Sequence, residues 1–137
     1  ETARKVIARS GEGHRITVQQ GDAAAFDLDT LFGTSHADRV FISYSLSMIP
    51  PWREVLPMAL DAVAPGGRLH IVDFGQQDGW PRWFKAMLFG WLRRFSVEPR
   101  ADLELELQKL ASGRGATLEF RSLYRGYADY AVITRSA

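Results

Sequence analysis

Two apolar runs with a helix-patterned stretch between them constrain this chain more than any other feature. RVFISYSL (39–46) and RLHIVDF (68–74) are rich in β-branched and aromatic residues, and the first is largely apolar on both faces at its centre. Such runs suit strands buried inside a parallel sheet. Between them, Pro50-Pro51 stops what precedes and opens a helix at its first turn, where a missing N–H costs nothing. Val55, Leu56, Ala59, Leu60 and Val63 mark one helical face over 52–64, and Pro65-Gly66-Gly67 is a strong turn signal. Strand, helix and strand in this order predict an α/β fold around a parallel pair, because a parallel pair needs a crossover of this length.

The flanking segments extend that pattern. Residues 1–9 look like the tail of a helix, broken at Ser10-Gly11-Glu12-Gly13. RITVQ (15–19) reads as a short strand ending at Gly21-Asp22-Ala23, followed by a connector over 24–36 with a helical turn near Asp29–Phe32. Trp80, Trp83, Phe84, Met87, Leu88, Trp91, Leu92 and Phe95 follow helical spacing over 81–95, with Arg82, Lys85, Arg93 and Arg94 off that stripe. Pro99 separates this helix from another at about 101–112, carrying Leu103, Leu107, Leu110 and Ala111. Strands at 116–121 and 128–134, joined by a turn over 122–127, complete a mostly parallel sheet with an antiparallel edge.

Composition limits the alternatives. The 137 residues suffice for one domain with a real core, and 46% apolar with 24% charged residues is ordinary for a globular protein. A net charge of +1 gives no global sign of a nucleic-acid partner. Without cysteine there are no disulfides or thiolate metal sites, which fits a cytoplasmic protein. His14, His36 and His70 have no metal-ligand spacing, so no metal is expected. Gly66-Gly67 is not a phosphate loop, because no Lys-Ser/Thr follows. The chain starts at Glu1 without Met and reads as a cut end.

Ligands in open α/β sheets bind at the carboxyl ends of the strands. Three such ends carry candidate residues here: Gly21-Asp22-Ala23, Ser43-Tyr44-Ser45-Leu46 and Asp73-Phe74-Gly75-Gln76. The pieces VQQGDA (18–23), DRVFISYSLSMIP (38–50) and APGGRLHIVDF (64–74), in this order and spacing, resemble the class I S-adenosylmethionine-dependent methyltransferases across essentially the whole chain. YSLSMIPPW (44–52), HIVDFGQQ (70–77) and LYRGYADYAV (123–132) resemble, within that family, small bacterial lipid N-methyltransferases acting on phosphatidylethanolamine or betaine-lipid head groups.

The resemblance implies a Rossmann-like sheet of order 3-2-1-4-5-7-6, with this chain running from the third strand to the C-terminus as one partial domain. It implies S-adenosylmethionine as cofactor and methylation of an amino head group of a membrane lipid. Asp22 would read the adenine amino group and the Ala23 amide the ring nitrogen beside it, with Gly21 allowing the approach; alternatively Asp22 is a turn cap. Ser43, Tyr44 and Leu46 would line the methionine half, with Ile49 and Trp52 closing over it; alternatively Tyr44 is a core aromatic. Asp73 and Tyr44 are the catalytic candidates. Asp73 would hold or deprotonate the substrate amine, or else cap the following loop. Tyr124 and Tyr127, with Tyr130 nearby, would hold a methylated ammonium on their aromatic faces, or simply pack.

The family's glycine-rich first loop and the acidic residue ending its second strand are not in this sequence. The strand at 39–46 would then have an open apolar edge. Three outcomes follow: the missing part lies outside this chain, strand 15–19 pairs directly with strand 39–46, or two copies associate through the edge. The chain alone should bind cofactor poorly and should not catalyse. The aromatic stripe at 80–95 has two readings, a helix packed on the sheet or a membrane-surface helix that would place the protein on the inner membrane. Two rival functions remain: a methyltransferase of a small soluble substrate, and a non-catalytic binding domain of the same fold.

Overall fold

The computed structural model describes residues 2–76, 80–94 and 99–137, with only the backbone described at residues 92 and 93. Strand β1 (Ala37–Ser43) runs parallel to β2 (Val63–Phe74), placing Phe41 beside His70 and Ile42 beside Ile71. Strand β4 (Ala128–Thr134) lies antiparallel between β2 and β3 (Thr117–Leu123), so the sheet order is β1-β2-β4-β3. This is the 4-5-7-6 portion of the expected order.

One face of the sheet holds the core. Helix α3 (Trp52–Asp61) is the crossover between β1 and β2 and buries Trp52, Val55, Leu56, Ala59 and Leu60. Helix α5 (Leu103–Gly113) buries Leu103, Leu107 and Ala111. Both meet Leu69, Ile71, Ala131 and Ile133 from the strands. Each fully buried Leu or Ile contributes about 1.5–3 kcal/mol. The alternation of side chains puts Phe41, His70, Val72 and Tyr130 on the other face, where Phe41 is 70% exposed.

The remaining elements are α1 (Thr2–Ser10), α2 (Leu28–Phe32) and α4 (Arg82–Arg94). Asp27 caps α2 by accepting from the Asp29 amide at 3.0 Å and the Thr30 hydroxyl at 2.8 Å. The Thr30 hydroxyl, followed by the Asp29 amide, holds the Asp27 carboxyl below its ordinary pKa.

Four expectations change. Residues 15–19 form no strand. Their neighbour in the expected sheet order is the second strand, which this chain does not contain, and a strand without a ladder partner leaves its N–H and C=O groups to water. Residues 15–19 do not pair with β1 either, so β1 is the sheet edge. The strand expected at 39–46 ends at Ser43, because Tyr44 turns into a left-handed conformation (φ 49°). Pro65-Gly66-Gly67 interrupts no strand; it is an irregularity inside β2, where the register shifts after the Ala37–Val63 pair. Gly67 is required there, since a β-carbon would lie 2.8 Å from the Asp38 carbonyl oxygen and 2.8 Å from Val63 Cγ1.

His70 sits under the Phe41 ring, with centroids 4.8 Å apart, and its Nδ1 lies 3.0 Å from the Tyr130 hydroxyl. Its Nε2 is buried with no hydrogen-bond partner among the described residues. Burial, then the charges of Arg39 and Arg68, lower its pKa below the ordinary histidine value. The unfolded chain therefore binds a proton before the folded one does, and stability present above about pH 6.5 is lost as pH falls toward the folded pKa. Urea unfolding between pH 7.5 and pH 5 (roughly a decade either side of the histidine range) should show this loss, and His70→Gln should flatten it. An unchanged slope in the variant would assign the loss to other groups.

Candidate functional site

Parallel pairing brings the carboxyl ends of β1 and β2 side by side, and everything of chemical interest gathers there. β1 stops where the Tyr44 amide donates to the Val72 carbonyl at 2.7 Å. A bulky residue at positive φ stores about 1–3 kcal/mol, which surrounding contacts must offset. The chain then makes a 3₁₀ turn over Leu46–Met48 and enters α3.

This turn is held from beneath by two charged side chains. Asp73, at the end of β2 and 1% exposed, accepts the Ser47 amide on Oδ2 and the Phe74 amide on Oδ1, both at 2.8 Å. Arg100 donates from Nε to the Leu46 carbonyl at 3.2 Å, and from Nη2 to Ser47 at 3.4 Å and Ile49 at 3.1 Å. Its guanidinium also lies 5.7 Å from the centre of the Trp52 ring. The Asp73 carboxylate thus holds the turn that follows β1 through the Ser47 amide.

Tyr44 and Phe74 have ring centroids 5.0 Å apart, and Phe74 meets Tyr127 edge-on at 6.1 Å. The Gly75 amide donates to the Tyr127 carbonyl at 2.9 Å, and a β-carbon at Gly75 would collide with the Gly126 carbonyl. The β3–β4 turn therefore closes directly on the end of β2, and Tyr44, Phe74 and Tyr127 form one aromatic wall. Tyr44 and Tyr127 are each 39% exposed. Tyr124 stands apart from the wall in the same turn, and Tyr130 serves His70 instead.

A cleft of about 510 Å³ runs along the unpaired edge of β1. Gly21, Asp22, Ala23, Ser45 and Ile49 line it, with Val40, Ile42 and Leu31 among its apolar walls. That volume is in the range of small-ligand cavities, about 300–1,000 Å³. Much of its apolar lining is what a strand paired to β1 would cover. Asp22 uses Oδ1 to accept the Ala24 amide at 2.9 Å, an Asx turn. A carboxylate offers about four acceptor positions, so this bond leaves capacity for a ligand donor.

The geometry therefore joins Gly21, Asp22, Ala23 and Ile49 in one cleft, and Tyr44 and Tyr127 in one wall. Ser43 is exposed at the end of β1 and is not among the cleft-lining residues. Leu46 is 0% exposed and Trp52 3%, both within the hydrophobic core. Their side chains turn inward because the turn over 46–48 aims them at the crossover packing of α3 on the sheet. Sequence reasoning missed Arg100 and named Phe74 only as part of a candidate strand end. Arg100 carries no local signal, since its partners lie about fifty positions upstream. Among the described residues no group of three or more His, Asp and Glu could hold a metal ion.

Comparison with protein-family models and with curated protein sequences gives no match. Comparison with solved structures does. An O-methyltransferase family protein from Burkholderia thailandensis superposes with a TM-score of 0.71 at 23% identity, covering 98% of this chain and 40% of that one. The S-adenosylmethionine-dependent methyltransferase SibL gives 0.68 at 22% identity, with 98% and 40% covered. NcsB1, an O-methyltransferase from neocarzinostatin biosynthesis solved with S-adenosylmethionine and 2-hydroxy-5-methyl naphthoic acid, gives 0.65 at 18% identity, with 97% and 37% covered. The fold is thus the C-terminal part of the class I methyltransferase sheet, and the chain spans about 40% of the length of the first of these structures.

Arg100→Lys should lower stability by about 1–2 kcal/mol and Arg100→Met by about 2–4 kcal/mol, because an ammonium cannot serve three divergent carbonyls and a thioether serves none. Denaturant unfolding measures this; equal stability of all three proteins would show that the turn does not depend on the clamp.

Proposed function

We propose that this chain is the C-terminal part of an S-adenosylmethionine-dependent methyltransferase. The observation that carries the reading is the convergence, at the strand carboxyl ends, of the Gly21–Ala23 and Ile49 cleft with the Tyr44–Phe74–Tyr127 wall, in a fold shared with methyltransferases. The cleft fits the adenine half of the cofactor: it is apolar at Val40 and Ile42 and polar at Asp22, whose carboxylate reads an amino donor. The glycine-rich loop and the acidic residue for the ribose hydroxyls are not in this sequence, so the chain alone should bind poorly and should not catalyse. When bound, the cofactor supplies an electrophilic methyl on a sulfonium, which an amine lone pair takes as the carbon–sulfur bond breaks and the amine proton passes to solvent.

The chain's own groups do the positioning. Alignment of acceptor and methyl supplies much of the rate in an in-line displacement. Asp73 and Arg100 fix the turn that presents Tyr44 and Ile49. Tyr44, Phe74 and Tyr127 offer aromatic faces, which attract an ammonium by about 0.5–2 kcal/mol each. This wall, with the sequence resemblance, supports an amino head group of a membrane lipid as the acceptor. A small soluble acceptor is the second reading. It is favoured by structures such as NcsB1, solved with a naphthoic acid, and the mitomycin 7-O-methyltransferase MmcR.

The test uses the intact protein. Asp22→Ala should weaken S-adenosylhomocysteine binding about tenfold by calorimetry, the loss of one charged hydrogen bond. No binding by the unaltered protein would favour a non-catalytic domain. Lipid extracts with methyl-labelled cofactor should yield labelled lipid; label confined to water-soluble products would favour the soluble acceptor. Tyr127→Ala should raise the KM for the amine with little change in cofactor affinity.

A further inference from the structure

Helix α4 presents its aromatic stripe to solvent. Trp83 is 70% exposed, Met87 59% and Trp91 58%. They stand at i, i+4 and i+8, which puts them on one side of the helix. Phe84 and Leu88, on the adjoining rows, are half-buried. Trp80 stacks on Phe84 at 4.7 Å and Trp83 meets Phe84 edge-on at 5.9 Å, so the exposed aromatics form an ordered cluster. Phe84 is covered within this cluster by Trp80 and Trp83, and among the described residues no α4 side chain belongs to the core packed on the sheet. Leu92's side chain and Phe95 lie outside the described residues.

Charge decides what such a face meets. From Trp80 to Arg94 the sequence carries four cations and neither Asp nor Glu, and of these Arg82 and Arg94 are exposed. A second copy docked face to face would set these cations against each other, since a two-fold contact repeats the same patch on both sides. A layer of anionic head groups neutralises them, while tryptophan and methionine enter the boundary beneath, where an amphipathic indole is at its most favourable. A helix of 13 residues is about 20 Å long. No described helix is long and apolar enough to cross a membrane. That length suits a helix lying in the plane of the surface.

We propose that the Trp83–Met87–Trp91 face of α4 docks on an anionic lipid surface. The proposal does not depend on the acceptor assigned above, because a methyltransferase of either substrate class can be surface-bound. The intact protein should co-sediment with vesicles of equimolar phosphatidylcholine and phosphatidylglycerol better than with phosphatidylcholine alone, and added salt should weaken binding. The double variant Trp83→Ala/Trp91→Ala should lose affinity by about tenfold or more. Arg82→Glu should lower binding to the anionic vesicles only. Both positions are exposed, so circular dichroism and S-adenosylhomocysteine binding should remain those of the unaltered protein, which separates this test from that of the proposed activity. Vesicle binding that the double variant retains, or no binding by the unaltered protein, overturns the proposal. A concentration-dependent dimer abolished by the same variants, seen by sedimentation velocity without vesicle binding, also overturns it and makes the face a contact between copies.

Discussion

The parallel pairing of β1 and β2 is the constraint on which the other features rest. A parallel pair forces the chain to return across the sheet, and α3 makes that return. The crossover buries its apolar face on Leu69 and Ile71 and thereby defines which side of the sheet is core. It also places two carboxyl strand ends next to each other. Tyr44, Asp73 and Phe74 stand at or just past those ends, and Tyr127 meets Phe74 there.

The strand ends themselves would be poorly ordered without ionic support. The turn after β1 leaves backbone amides and carbonyls that no ladder satisfies. Asp73 takes the Ser47 amide, and Arg100 serves three carbonyls. One carboxylate and one guanidinium thus hold the turn from Leu46 to Ile49. Taking these charges out of water is tolerable because each is met by charge-assisted hydrogen bonds.

The opposite edge shows what the chain lacks. β1 has no neighbour on its outer side, and the segment read as a preceding strand stays irregular. The cleft between them combines ligand-facing groups with apolar surface suited to covering by another strand. The carboxylate of Asp22 can be in place while the cavity around it remains open.

Local pattern alone determined most of the elements. The crossover helix, the β2 strand, the aromatic helix and the final hairpin follow from periodicity, proline and glycine, because those signals act between residues close in the chain. The grouping of Gly21, Asp22 and Ala23 in the cleft was legible for the same reason, since they are consecutive. The tertiary structure decided what depends on distant partners. Residues 15–19 had strand composition but no ladder partner. Leu46 and Trp52 lay in the right segment, yet packing turned them into the core. Arg100 became part of the site only when the fold carried it beneath a turn far upstream. The helical spacing of Trp83 and Trp91 was written in the sequence; that their side of the helix faces water was decided only by the tertiary structure, because exposure depends on what the rest of the fold places nearby.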